Sequence, residues 1–509
     1  MIPTDRNIKI QEAGYPLRGV DLWNPGWAID PSVASNMSNV LSKDGLVVPR
    51  MGYADYADEQ SGETFIGCFS FTQRNGTEQI IAVSTTTVYN ISSGSWSDLD
   101  TGTAMDWDGD EDNYLSWARV QDDANDILFF TNGKNDNSVF KSTDMGAIAA
   151  ASIDPITNFK TCRAMESYYN RLVIGNLTTN DGGSPATIAY YPNAIAWHAL
   201  GDATDWTGYQ AGLVELPDLD GGIWCLKRIQ GSLAIYSERS IALMTYLGNA
   251  NNLFSFRTLC QDTWLISGRC VVNIGNVHLL MTHDGFFAFS GSGTLIPIGL
   301  GVSQDLRDNF DSSYSERAFG FHYPGLRRVY WILPTGANTH VLYILSYTNP
   351  NDPNSYIWAK GSYSSRPYGM GLIDKYPGLC HSAWIHTLSE ANDQDDGSNF
   401  TASWETKDFT DLELSQTIEN RWLKVEVELL GENYTGTSYT SVDLYYSVDE
   451  GSSWTQIQSA QTLTASWAVY SFRFDKSSAK IRFRVRRTGA GRFWIRRLRV
   501  FYSQGGTVE

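Results

Sequence analysis

The stretch TFIGCFSFTQRNGTEQIIAVS, residues 64–84, contains two alternating apolar segments separated by the polar turn of residues 73–77. An Asn-Gly pair between two such segments predicts a two-stranded antiparallel hairpin. A third apolar segment, with Val88, Tyr89 and Ile91, follows and ends before Trp96. The stretch therefore predicts one antiparallel unit of at least three short strands.

The same pattern of short apolar strands, a Gly/Asn/Asp turn and an aromatic or Gly ending recurs as far as about residue 388. Further copies cover residues 127–133, 171–191, 223–245, 271–289 and 328–358. Repeats at intervals of roughly 40 to 50 residues are typical of β-propellers, whose blades are four-stranded sheets. We therefore predict a β-propeller of six or seven blades.

The composition favours an all-β chain. Its 509 residues include 45 Gly, 17 Trp, 27 Tyr and 22 Phe. Aromatic residues suit half-buried pleated surfaces, and glycine suits tight turns. A helical pattern is nearly absent; we predict one short helix over residues 302–310, with Leu306 and Phe310 on one face.

The length allows more than one domain, because single cores tend to split beyond roughly 250 to 300 residues. Residues 392–399 form a polar, turn-rich segment, after which strand alternation resumes. We predict an N-terminal arm with the first strands over residues 1–60, the propeller over residues 61–391, and a C-terminal β-sandwich over residues 400–509.

No segment has the 18 or so consecutive apolar residues of a membrane span, and residues 1–10 lack a basic and apolar signal pattern. The sequence thus predicts a chain without a membrane span or visible export signal. The six cysteines are scattered and form no Cys-x-x-Cys pair. They are expected to be buried free thiols in a reducing cytoplasm.

Positive charge is concentrated at the C-terminus of an acidic chain. The net charge is −18, yet the last 39 residues alone carry +9. Basic and apolar residues alternate over residues 480–486, so one face of this strand is apolar and the other cationic. An arginine face suits an acidic partner, or is a solvated outer face. The candidate partner-binding residues are Arg482, Arg484, Arg486, Arg497 and Arg499.

Two ordered segments resemble a known family. The first contains Ala34, Asn36 and Asn39, followed by GLVVPRMG at residues 45–52. The second runs from residue 274 through the turn at residues 283–286 to residues 296–299 and the predicted helix. Their order resembles that of the tail nozzle or hub (tail tubular) proteins of short-tailed bacteriophages, which have an A-x-N-x-x-N segment and a G-x-L-x-x-R-x-G strand before a propeller.

That resemblance implies a structural protein of the virion tail, synthesised in the host cytoplasm. It implies a homohexameric ring below the portal and adaptor that conducts DNA during ejection, with tail fibres or a needle as further partners. An acidic lumen fits this role, because it repels DNA and lets it pass without sticking. The chain is shorter than larger members of the family, which puts their distal features in doubt.

A rival interpretation starts from residues 447–454, SVDEGSSW, a full S-x-D-x-G-x-x-W Asp-box, with a partial copy at residues 142–146. The motif is a hairpin turn whose Asp carboxylate binds turn amides, so its role is primarily structural. It resembles repeats of sialidases and other propeller glycosidases. The alternative functions are therefore a propeller glycosidase and a carbohydrate-binding or adhesion module.

Catalytic and metal-binding patterns are sparse, and we predict a non-enzyme. The seven histidines form no H-E-x-x-H motif, and the spacing of His381 and His386 fits neither face of a helix. One acidic loop, with Asp106, Asp108 and Asp110, offers oxygen ligands for Ca²⁺ but lacks the closing Glu of an EF-hand. A solvated acidic loop is the alternative. Residues 392–399 offer similar ligands, and no other cofactor is predicted.

Overall fold

The computed structural model shows an almost entirely β-stranded chain. It describes residues 8–92, 94–99, 107–113, 115–122, 125–134, 138–143, 148–183, 186–249, 252–411, 419–432, 440–487 and 489–504. Within these ranges one α-helix, α1, spans Leu300–Asn309 and confirms the helix predicted from sequence. Short 3₁₀ turns cover Gly268–Cys270, Ser312–Arg317, Pro324–Leu326 and Pro353–Ser355. In this part of the chain no helix has the length and hydrophobicity to cross a bilayer.

The N-terminal segment contributes five strands. They are β1 (Ile8–Gly14), β2 (Asn36–Ser38), β3 (Val40–Lys43), β4 (Leu46–Pro49) and β5 (Gly52–Asp55).

Seven four-stranded antiparallel sheets follow in chain order. The first three are β6 (Phe65–Thr72), β7 (Glu78–Ser84), β8 (Val88–Asn90) and β9 (Ser97–Asp98); β10 (Ser116–Asp122), β11 (Asn125–Thr131), β12 (Phe140–Thr143) and β13 (Ile148–Ala150); and β14 (Phe159–Tyr168), β15 (Arg171–Asn180), β16 (Ile188–Trp197) and β17 (Gly212–Glu215).

The fourth, fifth and sixth sheets have the same meandering order. They are β18 (Ile223–Ile229), β19 (Ser232–Ser237), β20 (Ser240–Tyr246) and β21 (Phe254–Gln261); β22 (Val271–Asn273), β23 (His278–Thr282), β24 (Gly285–Phe289) and β25 (Leu295–Pro297); and β26 (Phe319–Tyr323), β27 (Arg328–Pro334), β28 (His340–Ser346) and β29 (Ile357–Gly361).

The seventh sheet takes its fourth strand from the N-terminal segment. It contains β30 (Gly369–Ile373), β31 (Tyr376–Cys380) and β32 (Ile385–Ser389), with β5 paired to β32. Strand β5 precedes residue 61, where the sequence placed the start of the repeats. The outer strand of the last sheet thus comes from the other side of the predicted domain boundary.

The hairpin predicted at residues 64–84 is present: β6 pairs with β7, and Phe71 lies opposite Gln79. Gly76 in its turn has φ +87°, which explains why glycine follows Asn75. The first strands of neighbouring sheets lie against each other, as β10 does against β14 and β14 against β18. Strand β6 of the first sheet contacts β30 of the seventh. All six cysteines are buried and free, as predicted.

The remaining strands form two six-stranded sheets that mix both ends of the chain. One has the order β3-β4-β40-β35-β38 with β1 beside β40, and the other the order β2-β33-β39-β36-β37 with β34 beside β39. Their C-terminal strands are β33 (Ala402–Glu405), β34 (Phe409–Thr410), β35 (Asn420–Glu432), β36 (Ser441–Ser447), β37 (Thr455–Thr462), β38 (Ala468–Ser478), β39 (Lys480–Arg487) and β40 (Arg492–Gln504).

Both six-stranded sheets contribute to one apolar core. On β39, Ile481, Phe483 and Val485 are buried, which confirms the alternation predicted for this strand. The same core includes Val425 of β35 and Val500 of β40. The C-terminal strands therefore share their sheets and their core with N-terminal strands. The domain boundaries predicted from sequence place those N-terminal strands outside the C-terminal domain.

A buried ion pair lies where the seventh sheet meets the six-stranded sheets. Both terminal nitrogens of Arg50 donate to the Asp395 carboxylate, at 2.7 and 2.6 Å. Its Nε donates to the Asn39 side chain, and its other donors reach the Ser362 and Met51 carbonyls. Both charged side chains are almost fully buried. Because each donor has an acceptor, the pair is satisfied away from water.

Replacing Arg50 with Met is expected to destabilise the protein by about 3–5 kcal/mol, because it leaves the Asp395 carboxylate buried without its partner. The matched control is Arg421→Met. Arg421 also contacts an aspartate, Asp475, through two nitrogens, but both side chains are more than half exposed. Removing an exposed pair costs about 1 kcal/mol or less. Urea unfolding of the two variants measures the difference, and equal losses would contradict it.

Buried histidines predict a loss of stability in mild acid. His278 accepts a hydrogen bond from Tyr236 at Nδ1 and lies 2.8 Å from the Arg228 carbonyl at Nε2. Burial lowers the pKa of His278 to about 4. Between its unfolded pKa of about 6.5 and pH 4, the unfolded chain binds the proton and the folded chain does not, so stability falls as pH falls.

The expected slope is up to about 1.4 kcal/mol per pH unit for each such histidine. Urea midpoints measured between pH 7.5 and about 4.5 test this. His278→Gln is expected to show a shallower decline than the parent chain. A parent midpoint that stays constant over this range would contradict the prediction.

Candidate functional site

A polar cleft of about 370 Å³ lies beside the seventh sheet, next to residues 392–399. Its walls combine hydroxyl, imidazole, carboxylate and aromatic groups. They are Tyr53, Asn338, Ser364, Ser365, Arg366, Tyr368, His381, Ser382, Trp384, His386, Asp395, Asp396 and Ser398.

Strand pairing and a tight turn bring Asp55, His386 and Asp396 together at this cleft. Asp55 and His386 are direct cross-strand partners on β5 and β32. The backbone N–H of Asp396 donates to the Tyr53 carbonyl, and Asp396 has φ +46°. The His386 Nε2 atom lies 3.0 Å from Asp55 Oδ1 and 4.0 Å from Asp396 Oδ2. The three ligand atoms all lie within 4.8 Å of one another.

His386 also contacts a second buried histidine. The Nδ1 atoms of His381 and His386 are 2.8 Å apart, so one ring donates its Nδ1–H to the other. Burial lowers the pKa of His386 to about 4, although Asp396 and Asp395 act in the opposite direction. Burial and the neighbouring His386 lower the pKa of His381 as well. Both rings are therefore neutral at pH 7, and the contact of His386 with Asp55 is not a charged pair.

The two carboxylates of this cluster differ from the buried Asp395 in being open to solvent. The side chain of Asp55 is 43% exposed and that of Asp396 is 54% exposed. Partial burial, and then repulsion from Asp396 and Asp58, raises the pKa of Asp55. Such a pair of carboxylates beside a neutral imidazole can share a proton or bind a cation.

The five arginines predicted to bind a partner all lie in ion pairs within the chain. Arg482 pairs with Asp408, Arg484 with Glu405 and Arg486 with Asp443. The two on β40 do the same: Arg497 pairs with Glu428, and Arg499 with Glu12. The strand carries a cationic face, as the alternation predicts, but its charge is largely balanced by neighbouring carboxylates. Their role toward a partner stays a prediction.

The acidic loop proposed for Ca²⁺ contains several ion pairs. Asp106 lies outside the described residues. Asp108 pairs with Lys134 at 2.5 Å, and Asp110 accepts the backbone N–H of Asp112. Further along the loop, Arg317 pairs with Glu111 and Asp112, and Arg366 also pairs with Glu111. Arginine and lysine side chains thus neutralise charges that a Ca²⁺ ion would need.

The Asp-box forms the hairpin turn between β36 and β37. The Asp449 carboxylate accepts hydrogen bonds from the Ser447 hydroxyl and the Ser453 backbone N–H, at 2.6 and 2.9 Å. These bonds lower the pKa of Asp449 to about 2. The Arg484 guanidinium lies over the Trp454 ring at 3.9 Å. The structural role predicted for this motif is confirmed. Residues 144–146 of the partial copy lie outside the described part of the chain.

From sequence, the spacing of His381 and His386 fits neither face of a helix, so no metal-binding motif is predicted there. Their spacing suits a hairpin: β31 pairs with β32, and Cys380 lies opposite Ile385. Asp55 joins them only through the pairing of β5 with β32, across more than three hundred residues. Asp396 comes from residues 392–399, which the sequence also indicates as a source of oxygen ligands.

No family model and no curated protein matches the chain. Among solved structures, the extracellular domain of a protein described as a hybrid two-component system from B. thetaiotaomicron has 9% identity and a TM-score of 0.37, with 69% of this chain and 41% of that chain covered. An exo-beta-1,3-galactanase from Phanerochaete chrysosporium has 9% identity and a TM-score of 0.26, with 75% and 95% covered. A structure named only as a glycoside hydrolase has 9% identity and a TM-score of 0.24, with 90% and 97% covered.

These matches correct one expectation drawn from the sequence. The chain was predicted to be a non-enzyme, and that prediction is contradicted because the matched structures include a galactanase and a glycoside hydrolase. The prediction rested on the absence of catalytic motifs in the sequence, whereas Asp55 and Asp396 come from distant segments and meet beside His386. At such low identities and TM-scores, the matches themselves assign no activity or ligand to this chain.

Proposed function

We propose that the seven four-stranded sheets are the blades of one propeller, and that the two six-stranded sheets form a β-sandwich. The contact of β6 with β30 supports closure of the propeller, because it joins the first sheet to the seventh. A cavity of about 670 Å³ is lined by residues of β6, β10, β14 and β18, as expected for the centre of a propeller. The core shared by both six-stranded sheets supports the sandwich.

We infer that the chain is a structural subunit of a ring in the tail of a short-tailed phage. One observation supports this proposal. Asn39, Arg50 and Gly52 belong to the first segment that resembles the phage family, and all three make contacts at one place in the fold. The Asn39 carboxamide accepts from Arg50 Nε and donates to the Thr401 carbonyl. A Cβ at Gly52 would lie 2.0 Å from the Gln394 carbonyl oxygen, so only glycine fits there. The motif thus encodes the junction between propeller and sandwich, which supports a shared architecture.

The charge distribution fits passage of DNA through such a ring. The chain carries −18 overall, and the five candidate arginines are balanced by carboxylates within the chain. An acidic surface repels phosphate and allows DNA to slide. In the proposed ring the conduit lies between the subunits, around the symmetry axis.

Light scattering and negative-stain imaging of the purified chain test the ring. We expect closed rings of about six subunits, formed by the chain alone or on addition of portal and adaptor components. The fraction of rings is expected to rise with protein concentration, because association follows mass action. A monomer of 56.7 kDa at every concentration, unchanged by those components, would refute the proposal.

A second candidate function, hydrolysis of glycosides, is favoured by the carboxylates at the cleft. Oxygens of Asp55 and Asp396 lie within 4.8 Å of each other, near the carboxyl separation of about 5–5.5 Å in retaining glycosidases. The raised pKa of Asp55 suits a general acid, and Asp396 then supplies the second carboxylate. Trp384 in the cleft wall provides an aromatic surface of the kind on which sugar rings pack.

A panel of aryl glycosides, sialosides and galactose oligomers tests this candidate. Asp55→Asn and Asp396→Asn are each expected to lower any turnover by about a hundredfold or more, because each removes one half of the acid–base pair. Asp374→Asn, at an exposed turn outside the cleft, is the matched control and is expected to retain full turnover. Turnover that survives both cleft substitutions would rule out this site. Binding without turnover would instead support a carbohydrate-binding role.

A further inference from the structure

The cluster of Asp55, His386 and Asp396 offers one imidazole nitrogen and two carboxylates to the same point in space. We propose that these three residues form a binding site for a divalent transition-metal ion of the Zn²⁺ or Mn²⁺ type. The site goes beyond both functions proposed above, since neither a ring nor glycoside hydrolysis requires a metal.

Two of the three distances between ligand atoms suit a single cation as they stand. Metal–ligand bonds of about 2.0–2.2 Å allow two ligand atoms to lie up to about 4 Å apart across one ion. His386 Nε2 is 3.0 Å from Asp55 Oδ1, as for neighbouring ligands at a right angle, and 4.0 Å from Asp396 Oδ2. Both carboxylates are near half exposed, so a small rotation of either side chain brings its oxygen to bonding distance.

A buried imidazole nitrogen provides an independent reason to expect a ligand. The His386 side chain is only 5% exposed, and its Nε2 atom has no hydrogen bond of acceptable geometry in the described structure. Buried polar atoms are normally satisfied. Nε2 is close to Asp55 Oδ1 but does not direct an N–H at it, which is the arrangement of two ligands that face a shared ion.

The second ring nitrogen of His386 has the partner that a metal ligand needs. Metal-binding histidines usually donate their other N–H to an acceptor, which fixes the ring and its tautomer. Here Nδ1 of His386 can donate to Nδ1 of His381, 2.8 Å away. This tautomer leaves the Nε2 lone pair of His386 free for the ion. It also places the His381 proton on Nε2, which has no hydrogen bond within the described residues, and ion binding must exceed that cost.

The local charge favours a cation. Two carboxylates, Asp55 and Asp396, lie beside His386, and Asp58 is close to Asp55. The one adjacent carboxylate that already has a cationic partner is Asp395, paired with Arg50 on the inner side of the turn. A bound dication would therefore offset the repulsion between Asp55 and Asp396.

The ligand set predicts which metal binds. One nitrogen and two oxygens suit Zn²⁺ or Mn²⁺, and a fourth position is left for water or another ligand from the cleft. Ca²⁺ prefers six to eight oxygen ligands, so an imidazole disfavours it. The site therefore differs in chemistry from the Ca²⁺ loop considered at Asp106, Asp108 and Asp110.

Isothermal titration of the full chain, first stripped with a chelator, tests the proposal with Zn²⁺, Mn²⁺ and Ca²⁺ chlorides. We expect one equivalent of Zn²⁺ per chain, with Ca²⁺ at least about tenfold weaker. Asp55→Asn, Asp396→Asn and His386→Gln are each expected to weaken Zn²⁺ binding by about tenfold or more, because each removes one ligand. Asp374→Asn and His283→Gln, outside the cluster, are the matched controls and are expected to leave it unchanged.

Loss of binding in the two aspartate variants is informative because those side chains are exposed, and circular dichroism checks that both variants fold. Absence of Zn²⁺ binding to the parent chain, or binding that all three ligand variants retain, would overturn the proposal. The titration reads metal affinity directly. Its failure is therefore distinguishable from the absence of rings or of sugar turnover.

Discussion

The buried pair of Arg50 and Asp395 is the interaction on which the arrangement of sheets depends. A guanidinium and a carboxylate removed from water are tolerated only when their hydrogen-bonding groups find partners. Arg50 achieves this by reaching Asn39, the Ser362 carbonyl and both oxygens of Asp395. The Phe400 ring packs against the guanidinium at 3.9 Å. Three distant parts of the chain, around residues 39–50, 362 and 395–400, are therefore held at one point.

The position of Arg50 in the sequence explains why its ion pair with Asp395 connects the sheets. It lies between β4, which pairs with β3 and contacts β40, and β5, which completes the seventh sheet. Residues 392–396 run alongside β5, where the Gly52 N–H donates to the Asn392 carbonyl and the Tyr53 N–H to the Gln394 carbonyl. One short N-terminal stretch thus joins the two groups of sheets, and its fixed position brings Asp55 next to His386 at the edge of the cleft.

Local features could be predicted from sequence because short-range patterns determine them. The Asn-Gly hairpin, the helix near Leu306, the buried alternation of β39 and the Asp-box turn all follow from residues close in the chain. The cluster at the cleft could not be found in this way, since Asp55 and His386 meet only through the pairing of β5 with β32. The prediction of a cationic face was incomplete for the same reason. The arginines of β39 are evident from the sequence, but their pairing with Glu405 and Asp408 is not.

Asp395 and Asp396 are consecutive residues of one turn with different surroundings. Asp395 pairs with a buried arginine, and Asp396 lies near His386 at the cleft. The turn holds Asp396 in a left-handed conformation, and the two consecutive carboxylates point to different surroundings. Asp395 faces inward to Arg50, a permanent cation, and is buried. Asp396 faces the cleft beside Asp55 and the neutral ring of His386, where solvent reaches it. The inner pair fixes the turn, whereas the outer carboxylates are open to solvent and available to bind an ion or a substrate.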